Sequence, residues 1–424
     1  MLIRFEAANY RSIWEPAELS MVAIDRDRDE ARAMPRLGES LLPIAAVYGP
    51  NASGKSNVVA ALSWVRDAVQ SSLRLWEDSI PVEPFAFAGG SSSPTQFIVE
   101  LVISGIRFEY VLELDREHVI YEGLFHYPEK KRRRIFEREE AEFKLQRGLG
   151  GLSGTRELLT QRTLALSVAR RFDEPLVTDF ARALLNLQAL GSPLRRFRRP
   201  WLSQVYPTIR LFEETGDQLS LFADDEFDDP ARLGRKQALA LLRLADLGIE
   251  DVVIDSREFT SPDSAEVHRQ RRVRMLHKGS EESIPFDLNS ESEGTRTWFN
   301  LIGPILTALR NGSIVIFDEL DASLHPTLSA ELLRIFHGPA TNPKGAQLIF
   351  TSHDTSLLNH LNRDEVWLTE KRSDGSTRLG ALADFAGERV RKSQNLETAY
   401  LHGRFGALPQ VDQTDLLRAL GLIG

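Results

Sequence analysis

Cysteine is absent from the 424 residues of this chain. Disulfides, a zinc ribbon, a thiol nucleophile and a cysteine-ligated cluster are thereby excluded, and an intracellular home fits best. Long apolar runs are missing too, since no stretch approaches the roughly 18 residues that a membrane helix needs. The opening Met1-Leu2-Ile3-Arg4-Phe5-Glu6 alternates like a strand and lacks the apolar core of a signal peptide. The expectation is a cytoplasmic protein without a membrane partner. Excess positive charge is the third absence: 52 Lys and Arg against 61 Asp and Glu leave a formal charge of −9. A protein that draws its affinity from duplex phosphates would be basic. Three local clusters, 130–134, 195–199 and 268–274, run against that balance. Charge runs are mostly solvated faces or hairpin edges, so a nucleic-acid partner is the minor reading.

What is present begins with Gly49-Pro50-Asn51-Ala52-Ser53-Gly54-Lys55-Ser56, a complete GxxxxGK[ST] phosphate-binding loop. It follows the apolar run 44–47 and precedes a helix-like stretch, 57–75, the strand–loop–helix context that the pattern requires. Gly49 and Gly54 let the backbone curl until successive N–H groups point at phosphate oxygens. Lys55 reaches the β- and γ-phosphates as a point charge, and the Ser56 hydroxyl suits Mg²⁺. ATP is the expected ligand. The residues expected to hold it are Gly49, Asn51, Ala52, Ser53, Gly54, Lys55, Ser56 and, at the helix start, Asn57.

A second constellation lies far along the chain. Ile314-Val315-Ile316-Phe317-Asp318-Glu319 reads as a buried parallel strand ending in two carboxylates. Adjacent acids at that end of a strand are expected where they face a metal or ligand. Asp318 suits the Mg²⁺ sphere and Glu319 suits a general base that polarises the attacking water. Thr351-Ser352-His353-Asp354 ends the next strand, 347–350, from which His353 could reach the γ-phosphate. The turn Ser290-Glu291-Ser292-Glu293-Gly294-Thr295 opens a helix whose free N–H groups could bind an anion, or it is an ordinary capping turn.

The hydropathy pattern divides the chain in three. Residues 1–154 read as strands plus the first helix, with a hairpin turning at Ser104-Gly105. Residues 155–248 carry apolar residues at helical spacing, with an acidic loop at 224–230, and read as a helical insert. Residues 249–424 return to strands and then alternate helix and strand, the rhythm of a parallel sheet. The fold class expected is therefore α/β: an ATPase core split between the chain's two ends, with an antiparallel β subdomain and a helical insert.

Together these pieces resemble the ABC-type ATPase heads of the SMC/RecF class. The class's Leu-Ser-Gly-Gly-Gln signature is matched by Glu291-Ser292-Glu293-Gly294-Thr295, which retains the Ser and the second Gly. Leu320-Asp321-Ala322-Ser323-Leu324-His325-Pro326 is similar to its D-loop, with His325 where Asp is usual. His353 matches its switch histidine, Asn9-Tyr10-Arg11-Ser12 its opening motif, and Gln96 is the candidate for its Q-loop. Within the class, the Ser-Glu-Gly-Thr signature and the closing 400–407 segment look most like abortive-infection L-type (RloA-like) prokaryotic ATPases. The resemblance implies an ATP-dependent homo-oligomer, at least a dimer, in which Ser292 and Gly294 contact the neighbouring molecule's ATP. It also implies a nuclease-like partner effector and a role in anti-phage defence. A RecF-like DNA-repair or chromosome-structure clamp is the alternative, one that DNA-stimulated, salt-sensitive hydrolysis would favour.

Overall fold

The computed structural model describes residues 1–26, 28–191, 205–213, 230–260, 267–280, 282–386 and 396–402. Its centre is a six-stranded sheet in the order Gln188–Gly191, Ile314–Asp318, Gln347–Thr351, Ile44–Tyr48, Val366–Lys371 and Thr377–Ala381. The first five strands run parallel and the last is antiparallel. Strands from the two ends of the chain thus lie side by side, and the core is split as the sequence predicts. The apolar runs follow from double burial, because a parallel sheet is covered on both faces. Ala45, Val47, Ile314, Ile316 and Ile349 join one core, while Ile44, Ala46, Val315, Phe317, Leu348 and Phe350 join the other. Period-two alternation sorts each strand between the two.

The first core lies between this sheet, the helix Lys55–Leu75 and a seven-stranded antiparallel sheet. That second sheet is ordered Glu142–Leu145, Arg133–Glu139, Val119–Tyr127, Ile106–Leu114, Thr95–Ile103, Leu2–Ala8 and Ala17–Ser20. Ser104 (φ 50°) and Gly105 (φ 78°) turn its central hairpin, both at positive φ as a two-residue type I′ turn needs. Gln347 ties the two sheets together: its amide donates to the carbonyls of Leu2 and Leu42 and accepts from the Leu2 N–H. Strand Ala17–Ser20 closes the sheet on this side and ends before Met21.

The second core is roofed by helices Glu293–Asn311 and Pro326–His337. Glu293–Asn311 begins at the Ser292 cap and stops at Gly312, which takes the left-handed φ of 65° that a helix-terminating glycine supplies. Helices Val205–Phe212 and Pro230–Ala245 pack onto it from the segment expected as an insert. That segment is not helical throughout. Helices Ala165–Ala169 and Pro175–Leu185 pack on Lys55–Leu75, and Gln188–Gly191 adds a strand beside Ile314–Asp318. A three-stranded sheet, Ile249–Thr260, Val267–His277 and Ile284–Asp287, follows. Residues 224–229 of the acidic loop and 403–407 of the closing motif lie outside the described residues.

Candidate functional site

The phosphate loop leaves strand Ile44–Tyr48 and delivers the chain to helix Lys55–Leu75 through three positive-φ residues: Gly49 (151°), Ala52 (61°) and Gly54 (100°). The two glycines are crowded from behind. A Cβ on Gly49 would collide with the Thr369 hydroxyl and backbone, and one on Gly54 with the Thr377 hydroxyl. Both threonines hold the loop in place. Thr369 Oγ1 donates to the Tyr48 carbonyl (3.1 Å) and pairs with Ser53 Oγ (2.6 Å), and Thr377 Oγ1 donates to the Ser53 carbonyl (2.8 Å). Ser12 completes the cradle, pairing with Thr377 Oγ1 at 2.7 Å and accepting from the Asn57 amide at 2.6 Å. No local sequence signal marks Thr369 or Thr377, because their strands lie more than 300 residues beyond the loop they hold.

Lys55 is buried, its ammonium donating to the Gly49 and Pro50 carbonyls at 2.9 and 3.1 Å. Burial pushes its pKa below the usual lysine value, against the pull of Asp321, Asp318 and Glu319. Those carbonyl bonds are the sort that an arriving phosphate can replace, since ionised acceptors make the stronger bond.

The carboxylate strand ends with Asp318 fully buried. Its Oδ1 accepts from Thr351 Oγ1 at 2.6 Å, while Oδ2, also buried, has no hydrogen-bond partner among the described residues. A buried carboxylate oxygen left bare is costly unless a cation or donor meets it. With the Ser56 hydroxyl it offers the hard oxygen donors that Mg²⁺ prefers. Glu319 sits in a left-handed backbone conformation (φ 57°, ψ 61°), a strained state for a residue with a Cβ. Its N–H donates to the same Thr351 hydroxyl at 2.7 Å. One threonine therefore positions both acids. Asp321 accepts from the His353 N–H at 3.1 Å and so fastens the turn after the acids to the histidine strand.

These groups meet in one cleft of about 480 Å³, whose wall includes Asn51, Ala52, Gly54, Lys55, Ser56, Asn57, Glu319 and His353. The structure thus brings the loop, the second acid and the histidine together, with Gly49, Ser53 and Asp318 just behind. Ser292 and Gly294 are elsewhere, exposed at the start of helix Glu293–Asn311. Ser292 caps that helix, accepting from Thr295 N–H at 3.1 Å. Just before it, Glu291 pairs with His277 at 2.8 Å, tying the turn to strand Val267–His277. His325 caps Pro326–His337, its Nδ1 accepting from Thr327 N–H at 3.3 Å, the acceptor's task that Asp commonly performs. Gln96, the Q-loop candidate, is exposed on strand Thr95–Ile103 and does not line the cleft.

In two of the three basic clusters the described arginines are paired with neighbouring acids. Arg132, Arg133 and Arg134 pair with Glu109, Glu129 and Glu137. Arg271, Arg272 and Arg274 pair with Glu213, Asp287 and Asp255. The third, 195–199, lies outside the described residues.

No curated protein matches the chain. Among solved structures it is similar to the SMC head domain from Thermotoga maritima, at 13% identity and a TM-score of 0.42 over 90% of this chain and 98% of that one. It is likewise similar to an SMC head bound to the C-winged helix domain of ScpA, at 11% identity and a TM-score of 0.43 over 90% and 97%. A third is an SMC head with an extended coiled coil bound to the C-terminal domain of ScpA derived from Pyrococcus furiosus, at 11% identity and 0.42 over 90% and 97%. The family model described as "AAA domain, putative AbiEii toxin, Type IV TA system" matches residues 44–149 and 202–359, more than half of the chain. Those spans contain the phosphate loop, the signature turn, both carboxylates and His353. The chain belongs to this family of AAA-type ATPase domains.

Proposed function

We propose that the chain binds ATP with Mg²⁺ in this cleft, hydrolyses it, and closes as an ATP-bridged dimer that controls a partner effector, a nuclease-like protein, in anti-phage defence. The observation that carries the chemistry is Asp318 beside Glu319: a buried carboxylate with one oxygen fixed by Thr351 and the other without a hydrogen-bond partner among the described residues. Lys55 and the backbone N–H groups from Asn51 to Ser56 take the β- and γ-phosphates. Ser56 and Asp318 would hold Mg²⁺, which when bound neutralises charge on the phosphate oxygens. Glu319 accepts a proton from the attacking water as its oxygen bonds to the γ-phosphorus. The bond from that phosphorus to the β–γ bridging oxygen breaks, and its electron pair leaves with ADP. His353 donates a hydrogen bond to the γ-phosphoryl group and senses its presence.

The exposed position of Ser292 and Gly294, away from their own chain's cleft, supports a role toward a second molecule. ATP then biases a two-state element, open or closed, through its γ-phosphate. The defence role, with an RloA-like character, is supported by the signature residues and by a family description that points to toxin–antitoxin systems. The ion pairs of the two described basic clusters weigh against the DNA clamp, since paired arginines release few counterions. Light scattering on Glu319→Gln protein tests the closure: a dimer is expected with MgATP and a monomer without it. A monomer under both conditions would overturn the dimer, and DNA-stimulated, steeply salt-dependent hydrolysis would favour the clamp.

A further inference from the structure

The cleft continues past the phosphate loop to a wall made by Phe85-Ala86-Phe87, with Arg11, Lys371 and Gly375 alongside. Phe87 is unlike its neighbour. Phe85 is buried, whereas Phe87 is 62% exposed, and a bare phenyl ring in water is unfavourable. The ring is nonetheless held. Phe85 meets it edge-on at 5.5 Å, and Phe85 itself stacks on Trp14 at 5.6 Å. On another side Gly375, at a φ of 83°, comes so close that a Cβ there would stand 3.5 Å from the Phe87 ring. The backbone beneath is pinned by Asn9, whose Oδ1 accepts from Phe85 N–H (3.0 Å) and whose amide donates to the carbonyls of Gly90 (2.8 Å) and Ser93 (2.7 Å). A ring fixed by its neighbours and bare toward a ligand cleft is a preformed platform.

We propose that Phe87 is the stacking surface for the nucleobase, and that Arg11 supports the base from the same wall. The inference rests on the nucleotide reading above. With the phosphates anchored at Lys55, a nucleoside triphosphate has one flat, weakly polar part left to cover, and Phe87 is the exposed aromatic residue on this cleft's wall. Bases stack on aromatic rings through their faces rather than their edges. Arg11 is itself steadied, its Nη2 3.0 Å from Glu83 and its guanidinium 5.3 Å from the Tyr10 ring centre.

Calorimetry with MgATP and with inorganic tripolyphosphate, which carries the phosphates without a base, tests the assignment. Phe87→Ala is expected to bind MgATP roughly 10-fold more weakly, as loss of one base–aromatic stack implies, and to bind tripolyphosphate like wild type. Phe87→Trp should keep ATP affinity, and its added indole emission should change on binding ATP but not tripolyphosphate. Unchanged ATP affinity in Phe87→Ala would overturn the proposal, as would equal weakening toward both ligands or an indole blind to ATP. If wild type binds neither ligand, the nucleotide reading itself falls and this inference falls with it. If wild type binds both and only the Phe87 variants behave otherwise than expected, the reading stands and the platform does not.

Discussion

Two helix N-termini in this molecule carry small residues suited to phosphate, and their surroundings differ completely. At the phosphate loop, Gly49 and Gly54 adopt backbone angles that favour glycine and are walled in by Thr369 and Thr377. At the signature turn, Gly294 has ordinary backbone angles, and a Cβ built on it would meet nothing closer than Ser292 Oγ at 3.9 Å. The first glycines are required by the chain's own fold. Nothing among the described residues requires the second. If Gly294 matters, the reason is something that docks there, which is the physical content of the shared-site proposal.

Changes on the over-determined side should have the largest effects. Glu319→Gln keeps the shape of the side chain and its strained backbone but removes the base. Steady-state turnover should fall roughly 100- to 10,000-fold while ATP still binds. Turnover at the wild-type rate would remove Glu319 from the chemistry. Lys55→Ala deletes the charge that meets the β- and γ-phosphates, and ATP affinity by calorimetry should drop roughly 100-fold, the scale of a lost charge-assisted hydrogen bond. An unchanged affinity would place the phosphates elsewhere.

Changes at the open side should spare the fold and injure only the assembled site. Ser292→Asp retains a good N-cap for helix Glu293–Asn311 and puts a negative charge where a neighbour's phosphate would dock. Melting temperature and nucleotide binding should hold while hydrolysis is lost. Mixing this variant with Lys55→Ala protein sharpens the contrast. A mixed dimer has one composite site with both lesions and one with neither, so part of the activity should return. If mixed dimers form and nothing returns, the two termini do not serve one site.

The over-determined side was also the readable side. The phosphate loop is contiguous, and the carboxylate strand announces itself as an apolar run ending in two acids, because a strand buried on both faces leaves nowhere else for charge. The Ser104-Gly105 hairpin was legible for a similar reason: few residues tolerate positive φ in succession. What stayed hidden depends on contacts distant in sequence. Thr351, Thr369 and Thr377 act through single hydroxyls on strands whose neighbours are set only by topology. Strand Gln188–Gly191 is four residues long, too short for a period, and is recruited by the edge of Ile314–Asp318. Phe87 carries no such signal, because its place on the cleft depends on neighbours distant in sequence, such as Gly375.

Gly294→Ala should give the smallest effect, and its sign is informative. The position lies in the first turn of helix Glu293–Asn311, at backbone angles that any residue adopts. Alanine there loses less conformational freedom on folding than glycine, which stabilises such a site by about 0.4–1 kcal/mol. Thermal denaturation should show a slight rise in Tm, and the variant's own cleft should bind ATP as before. Hydrolysis should still decline, because a methyl group at the docking surface pushes the neighbour's phosphate away from its productive position, and small misplacements at a reacting centre cost up to roughly 100-fold in rate. A protein made more stable and less active by one methyl group, on a face its own chain leaves open, would locate the cost outside the protomer. A variant that is more stable and fully active would mean that nothing approaches Gly294 closely, and the signature turn would then be a helix cap alone.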